Sequence, residues 1–123
     1  YDVTVRASDG ALLDDQAIAV TITNVNEPPV ITSNGGGATA GVSIAENGTA
    51  VNAVVASDVD AATTITYSIV GGADQALFTI NASTGALAFL SAPDFEAPAD
   101  VGANNVYDVT VRASDGALLD DQA

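Results

Sequence analysis

The stretch LFTINASTGAL, residues 77–87, carries the pattern that decides the fold. Phe78 and Ile80 alternate with other residues before the turn-forming tripeptide STG, and Leu87 and Phe89 alternate after it. Period-two alternation on both sides of a glycine-containing turn is typical of short β-strands and not of helices. The stretch therefore predicts two strands separated by a turn.

The same alternation recurs along the chain in YDVTVRAS (1–8), AIAVTITNV (17–25) and TITYSIV (64–70). The turn sequences SDG, NGGG, ENG and VGG separate these runs. No stretch keeps a helical period for about ten residues, and GADQAL (72–77) predicts at most a helical turn. About seven strands per repeat with frequent turns predict an all-β fold, a seven-stranded antiparallel Greek-key β-sandwich.

The chain contains an internal repeat. Residues 1–17 and 107–123 are the same sequence, YDVTVRASDGALLDDQA, so the period is 106 residues. Such a period fits one small domain per repeat, because solenoid units run roughly 20–50 residues. The dipeptide Pro28-Pro29 cannot donate to a strand ladder and marks a stiff boundary. We therefore expect a window cut out of frame from a tandem array: the last two strands of one repeat (1–25), an inter-repeat linker (26–29), and the next repeat lacking its final strand (30–123).

Composition limits the class of protein and its partners. The 123 residues include sixteen acidic and two basic side chains, a net charge of −14. This balance argues against nucleic acid or an anionic membrane as a partner. Hydrophobic residues make up 48% of the chain, enough for a core and unlike a disordered acidic tail. The absence of Cys excludes disulfides. The sequence also contains no run of about 18 apolar residues, which is the pattern that would predict membrane insertion.

Catalysis is not predicted. The chain has no His and no Cys, and its two basic residues are both Arg. Asp94 and Glu96 are the one carboxylate pair that could imitate a glycosidase, but they lie two residues apart on one predicted strand end. A glycosidase needs carboxylates that face each other across the scissile bond. We therefore predict that the chain is not an enzyme.

Six ordered motifs resemble the cadherin repeat, and in particular the cadherin-like repeats of large bacterial surface adhesins. LFTINASTGAL resembles the family's F-x-I-x-x-x-T-G-x-L turn. The other matches are AEN (45–47) for P-E-N, SDVD (57–60) for D-x-D, PDFE (93–96) for L-D-R-E, ASDG (113–116) for A-x-D-x-G, and NVNEPP (24–29) for the linker D-x-N-D-N-x-P. The resemblance implies a cadherin/immunoglobulin-like sandwich in an extracellular, secreted or cell-surface protein. The linker differs from animal cadherins at Asn24 and Glu27, which leaves the number of ions per junction open.

The resemblance also implies Ca²⁺ sites at the junctions between repeats, and Ca²⁺ prefers a shell of about six to eight oxygens. One pole of the repeat is expected to gather Asn26, Glu27, Asp58, Asp60 and Asp115. The opposite pole and its junction with the next repeat are expected to use Glu46, Asp94 and Glu96. Asp9 is the copy of Asp115 in the preceding repeat, so it is expected to serve an upstream junction.

The remaining charged residues have simpler expected roles. Arg6 and Arg112 project from the polar face of their strands, where each is expected to neutralise a neighbouring acid. We assign four further acids to surface solubility: Asp14, Asp15, Asp74 and Asp100.

These expectations lead to a structural function. The chain is predicted to be a calcium-rigidified spacer repeat of an extracellular adhesin, which projects an adhesive tip in cell-surface or biofilm adhesion. The alternative is a calcium-dependent, lectin-like module that binds polysaccharide. Three Tyr, three Phe and no Trp give that alternative few residues for stacking on sugars. The expected partners are adjacent repeats of the same chain, further copies through homophilic or strand-swapped association, and extracellular polysaccharide.

The run AIAVTITNV raises the question of where its strand is placed. The linker at 26–29 spans at most ~14 Å, whereas a strand folded back along the next sandwich has to reach its far pole, roughly 33 Å away. We therefore expect residues 1–25 either to be poorly ordered or to donate this strand to another copy, because exposed sheet edges accept such strands.

Overall fold

A computed structural model describes residues 1–60 and 63–123. Its regular elements are ten strands and two short 3₁₀ turns: β1 (Asp2–Ser8), β2 (Leu13–Ala19), β3 (Val30–Ile31), β4 (Ala50–Ala53), β5 (Ala56–Ser57), β6 (Thr66–Gly71), β7 (Phe78–Ile80), β8 (Ala86–Phe89), β9 (Thr110–Ser114) and β10 (Leu119–Gln122), with turns at Ser33–Gly35 and Gln75–Leu77. All strand pairs between these elements are antiparallel. In the described part of the chain no helix has the length and apolar character needed to span a bilayer.

The repeat that follows the linker is a sandwich of small sheets. One sheet has the order β10-β9-β6, another has the order β4-β8-β7, and β3 pairs with β5 beside them. Apolar side chains from these sheets meet in one core cluster: Ile31, Val54, Tyr67, Phe78, Leu87, Phe89, Val111 and Ala113. Each large member contributes about 1.5–3 kcal/mol of hydrophobic stabilisation when it is fully buried. The prediction of an all-β sandwich agrees with this architecture.

The turn in LFTINASTGAL forms by local hydrogen bonds. The Oδ1 atom of Asn81 accepts from the backbone N–H groups of Ser83 at 2.9 Å and Thr84 at 3.0 Å. Gly85 then takes a φ of 70°, which an L residue adopts only with strain. Phe78 pairs with Phe89 across the resulting β7–β8 ladder, and their ring centroids lie 4.3 Å apart. The two strands expected on either side of this turn are therefore present.

The strand expected at residues 17–25 lies elsewhere. The structure has β2 at Leu13–Ala19, paired with β1 so that Ser8 faces Leu13 and Asp2 faces Ala19. This register is fixed at the turn, and it brings the chain to the beginning of β1 before residue 21 is reached. Val20 still exchanges hydrogen bonds with the backbone of Tyr1, at 2.8 and 3.0 Å, whereas residues 21–25 run past the end of the hairpin and form no strand despite their period-two pattern.

Arg6 and Arg112 behave as expected from their position on the polar face. The Nε and Nη2 atoms of Arg6 both donate to the Asp15 carboxylate at 2.7 Å. The copy of this pair joins Arg112 to Asp121 at 2.7 and 2.8 Å. Each bidentate pair links opposite positions of a hairpin, since Arg6 faces Asp15 and Arg112 faces Asp121 in the two ladders.

The end of the repeat also differs from the expected outline, in which residues 30–123 lack their final strand. Because the strand begins at the copy of Leu13, its first four residues are present as β10. The following residue, Ala123, donates its N–H to the carbonyl of Ala38 at 2.9 Å and accepts from the N–H of Ala40 at 2.7 Å. The segment around residue 39 therefore holds the end of β10 in place.

The assignment of Asp74 and Asp100 to surface solubility is wrong. Their exposed fractions are 2% and 7%. Asp74 accepts from the backbone N–H groups of Val101 at 2.6 Å and Asp108 at 2.8 Å, while Asp100 accepts from two N–H groups at residues 104 and 105. Buried carboxylates are tolerated when such donors satisfy them, and here they shape the loop that leads into β9.

Candidate metal sites

The linker is bound into the acidic loops of the sandwich that follows it. The side-chain amide of Asn26 donates to Oδ2 of Asp115 at 2.7 Å, and the backbone N–H of Glu27 donates to Oδ2 of Asp60 at 2.9 Å. The amide of Asn24 donates to the other oxygen of Asp60. We call this group the linker-pole cluster, and its members are Asn24, Asn26, Glu27, Asp58, Asp60 and Asp115.

Strand ends position the three aspartates of this cluster. Asp58 follows β5 directly, and the N–H of Asp60 donates to its Oδ1 atom at 2.8 Å. Asp115 follows β9, and its Oδ1 atom accepts from the N–H groups of Ala117 and Leu118, both at 2.6 Å. These local bonds fix one oxygen each of Asp58 and Asp115, and the second oxygen of Asp115 accepts from Asn26 of the linker.

The hydrogen bonds also keep two of these groups ionised. The pKa of Asp60 is lowered by the amide of Asn24 and by the N–H of Glu27, although the nearby negative charge of Asp115 opposes the shift. The pKa of Asp115 is lowered by the N–H groups of Leu118 and Ala117 and by the amide of Asn26. Each shift favours the anionic form, which is the form that ligates a cation.

Asp58 provides the test of whether these residues suit a metal ion. Its Oδ2 atom is buried and has no hydrogen-bond donor among the residues that the structure describes. A buried carboxylate oxygen without a partner is costly, and a cation is one way to satisfy it. The surrounding donors are carboxylate and amide oxygens, which are the hard ligands that Ca²⁺ prefers. The linker-pole cluster therefore offers ligand types that suit Ca²⁺, but among the described residues the three acids whose oxygens already lie within 4.8 Å of one another are Glu46, Asp94 and Glu96.

A second acidic group lies at the other end of the sandwich. The carboxylates of Glu46, Asp94 and Glu96 are exposed and place one oxygen each within 4.8 Å of one another. The N–H of Phe95 donates to Glu46 at 3.0 Å, and the N–H of Glu96 donates to Asp94 at 3.0 Å. We call these three residues the distal-pole cluster. Residue 46 precedes β4, whereas Asp58 follows β5, so the chain crosses the sandwich between the two clusters.

Asp9 is not brought to either cluster. It lies at the tip of the β1–β2 hairpin, where its Oδ1 atom accepts from the N–H groups of Ala11 at 2.9 Å and Leu12 at 2.7 Å. These bonds lower its pKa, with Leu12 as the larger cause. The same turn geometry surrounds Asp115 in the second copy, so the position of Asp9 at a far tip is compatible with a role at an upstream junction.

One contact was not predicted. Asn24 was noted only as a departure from the family's linker sequence, yet its amide bonds to Asp60 across 36 residues of sequence. The available signal was its position, since it stands where the family linker has its first Asp. A neutral amide at this position can donate as well as accept, and a carboxylate can only accept.

Comparison with known proteins identifies the family. The cadherin domain family matches residues 41–122. This chain is a member of the cadherin domain family. Cadherin domains are adhesion-type extracellular modules, and the cadherin-like repeat expected from the six motifs is thereby confirmed.

Solved structures place the whole chain on the same fold. The crystal structure of the protocadherin GammaB4 extracellular domain superposes with a TM-score of 0.66 at 29% identity, over 99% of this chain and 19% of that chain. The protocadherin gammaB7 EC3-6 cis-dimer structure also gives 0.66, at 24% identity over 99% of this chain and 30% of that one. The second likeness, below 25% identity, supports the cadherin fold alone.

A shorter match comes from a curated protein. Halomucin of Haloquadratum walsbyi is 50% identical over 36 residues, which is 29% of this chain and 0% of that protein. This chain therefore spans only a small part of the proteins it resembles.

Proposed function

We propose that this cadherin domain is a calcium-rigidified structural repeat of an extracellular adhesin, a spacer that projects an adhesive tip in cell-surface or biofilm adhesion. The observation that carries the proposal is the attachment of the linker to acidic loops. Asn26 bonds to Asp115 and Glu27 bonds to Asp60, so the segment that joins two repeats ends inside a group of carboxylates. The angle between neighbouring repeats is then controlled at this cluster.

The chain's own residues account for both the flexible and the stiff state. Without a cation, Asp58, Asp60 and Asp115 are anions that repel one another, and only a few hydrogen bonds from the linker oppose this repulsion. Bound Ca²⁺ supplies the positive charge that the carboxylates can share. The linker then becomes fixed against the loops after β5 and β9, which holds the two repeats at one angle.

The distal-pole cluster has the complementary role in this proposal. Glu46, Asp94 and Glu96 form the surface that receives the linker of the next repeat, and Asp9 occupies the upstream position in the preceding one. Dissociation constants of about 10⁻⁴–10⁻³ M are expected, as in other extracellular calcium modules. Such weak sites are filled outside the cell and empty at low calcium, so calcium concentration sets the stiffness of the array.

Calorimetry combined with thermal melting tests the metal site. The 123-residue chain should give saturable heat on calcium titration and a higher melting temperature in calcium than in chelator. Both effects should be reduced in the Asp58→Asn/Asp60→Asn variant, which loses the contribution of the linker pole. They should persist in the Asp2→Asn/Asp14→Asn variant, which removes the same charge from the exposed hairpin. Equal responses in the two variants, or no heat in the parent chain, exclude this site.

Stiffening needs its own measurement. A protein in which residues 1–123 are followed by one more period, 18–123, contains a complete junction between two sandwiches. Small-angle X-ray scattering should show a narrower distribution of interatomic distances and a longer particle in calcium than in chelator. The Asp58→Asn/Asp60→Asn substitution, made in both copies of the period, should abolish the difference between calcium and chelator. If calcium binds without changing the scattering, the sites stabilise the domain and the spacer mechanism is wrong.

The alternative function, polysaccharide binding, has no support from the structure of the described residues. A groove in the described part of the chain has core side chains such as Phe78, Leu87 and Phe89 in its lining. No observation on the fold favours a sugar in that position.

A further inference from the structure

Four dipeptides of this chain have a sequence that readily closes into a succinimide ring, an Asn or an Asp followed by Gly. They are Asn34-Gly35, Asn47-Gly48, Asp9-Gly10 and Asp115-Gly116. In this reaction the backbone nitrogen of the glycine attacks the side-chain carbonyl carbon of the residue before it, and glycine permits the approach because it has no Cβ atom. The side chain has to leave its folded position to meet that nitrogen. Hydrogen bonds that hold the side chain therefore slow the reaction.

Hydrogen bonds hold three of these four side chains. The Nδ2 atom of Asn34 donates to the side chain of Gln122 at 3.2 Å, and its Oδ1 atom accepts from the amide of Asn52 at 2.9 Å. Asp9 and Asp115 each accept two backbone N–H bonds within their own turn. A carboxylate anion is also a poorer target for a nucleophile than a neutral amide. All three positions are therefore protected in the folded chain.

Asn47 lacks this protection. Its backbone N–H donates to the carbonyl of Pro93 at 3.0 Å, but within the part of the chain that the structure describes no hydrogen bond holds its side chain. The space at Gly48 is open, since the nearest atom that an added Cβ would meet beyond its chain neighbours is the Ala45 carbonyl oxygen at 4.0 Å. Asn47 and Asn34 are both exposed, so hydrogen bonding and not exposure distinguishes the two Asn-Gly pairs.

We propose that Asn47 is a site of spontaneous covalent modification, which the folded chain converts to aspartate and isoaspartate much faster than Asn34. The nitrogen of Gly48 forms a bond to Cγ of Asn47, and the Cγ–Nδ2 bond breaks. The amide nitrogen takes up the proton that the glycine nitrogen loses and leaves as ammonia. Water then opens the ring. Attack at Cγ gives aspartate, whereas attack at the backbone carbonyl carbon gives isoaspartate, in which the main chain runs through Cβ.

The product changes the charge and the shape of the distal pole. Asn47 follows Glu46 directly, and its backbone is bonded to Pro93, the residue before Asp94. Either product adds a carboxylate to the turn that carries the distal-pole cluster, where three acids already lie close together. Isoaspartate also lengthens the main chain by one methylene group, so the bond to Pro93 cannot keep its present geometry. The distal pole thus becomes more negative as the protein ages, and this change does not depend on the proposed calcium function.

Incubation of the folded chain in mildly alkaline buffer, followed by digestion and mass spectrometry, tests the proposal. Peptides with Asn47 should gain the mass of deamidation about tenfold faster or more than peptides with Asn34, because two side-chain hydrogen bonds have to break at Asn34. In urea the two sites should react at similar rates, since glycine follows both. Isoaspartyl methyltransferase should methylate the Asn47 product. Equal rates in the folded chain, no reaction at Asn47, or a product without isoaspartate overturns the proposal.

Two substitutions separate the causes. Gly48→Ala adds a Cβ atom that hinders ring closure but meets no close neighbour in the fold, so it should slow the modification of Asn47 while thermal melting stays unchanged. Asn52→Ala removes the amide that donates to Asn34, so it should speed the reaction at Asn34 and leave the rate at Asn47 unchanged. An unchanged Asn47 rate in the first variant contradicts the succinimide route. An unchanged Asn34 rate in the second contradicts protection by hydrogen bonds.

Discussion

Gly85 lies against the backbone of Val54, and the Val54 carbonyl occupies the place where a Cβ atom of residue 85 would be. The N–H of Val54 donates to the Gly85 carbonyl at 2.9 Å, and Val54 itself is 1% exposed. The turn of the LFTINASTGAL stretch is thus fixed to the core through the segment that joins β4 to β5. Because β5 leads directly to Asp58, this contact also helps to position the linker-pole cluster.

The Gly85→Ala substitution should destabilise the domain strongly. The added methyl group meets the Val54 backbone, and the φ of 70° is strained for alanine, so a loss of about 3 kcal/mol or more in unfolding free energy is expected. Gly116→Ala is the control, since its φ of 99° is also positive but nothing lies within 4 Å of its added Cβ. Urea unfolding of both variants measures the difference. Equal losses would show that backbone strain alone accounts for the effect.

Tyr67→Phe should cost about 1–3 kcal/mol of stability. The N–H of Ala56 in β5 donates to the Tyr67 hydroxyl at 3.0 Å, and Tyr67 is 9% exposed, so the substitution leaves a poorly solvated donor without its partner. Tyr1→Phe removes the same hydroxyl from a side chain that is 91% exposed and should change nothing. Urea unfolding compares the two, and a neutral Tyr67→Phe would mean that water replaces the lost hydroxyl.

Asp74→Asn should destabilise the loop before β9. The carboxylate accepts from Val101 and Asp108, and an amide can accept at only one of its two atoms, so a loss of about 1–3 kcal/mol is expected. Hydrogen exchange by mass spectrometry should show faster exchange of the amides at 99–108. Asp14→Asn, in the exposed hairpin, should leave that exchange unchanged. Unaltered protection in Asp74→Asn contradicts the structural role assigned to this buried group.

The pair of Arg112 with Asp121 predicts a dependence of stability on pH. The guanidinium lowers the pKa of Asp121 from its ordinary value of 3.8. A depressed folded-state pKa stabilises the fold above the ordinary value, and the contribution is lost as pH falls through the lower folded value. Asp121→Asn should therefore lower the melting temperature at pH 7, and the difference should close at strongly acid pH. Asp15→Asn breaks the equivalent pair in the hairpin and should leave sandwich melting unchanged, whereas a pH-independent difference for Asp121→Asn contradicts the ion-pair explanation.

The two acidic clusters should bind calcium independently. Glu46→Gln/Glu96→Gln should remove the part of the calorimetric signal that comes from the distal pole and leave the part from the linker pole. Asp58→Asn/Asp60→Asn should do the opposite, and the effects should add because β4 and β5 separate the clusters. Loss of all heat in either double variant would instead indicate one coupled site.

Local patterns in the sequence predicted much of this fold. Alternation around the STG turn predicted β7 and β8, because a strand with one buried face needs an apolar residue at every second position. The diproline predicts a boundary between repeats, and the ordered motifs predict acidic groups at two poles, of which Glu46, Asp94 and Glu96 come together in the structure. The calcium ligands themselves stay a prediction, because sequence order shows which oxygens are available and not where a cation lies.

Tertiary structure decided what depends on distant partners. The register set at the hairpin turn ended β2 at Ala19, although the alternation continued to residue 25. Asp74 and Asp100 became buried because backbone N–H groups some distance along the chain converge on them, which composition cannot reveal. Asn24 bonds to Asp60 for the same reason. The alternation of apolar residues can be read from the sequence alone. The burial, hydrogen bonds and pKa of a side chain depend instead on the atoms that folding brings beside it.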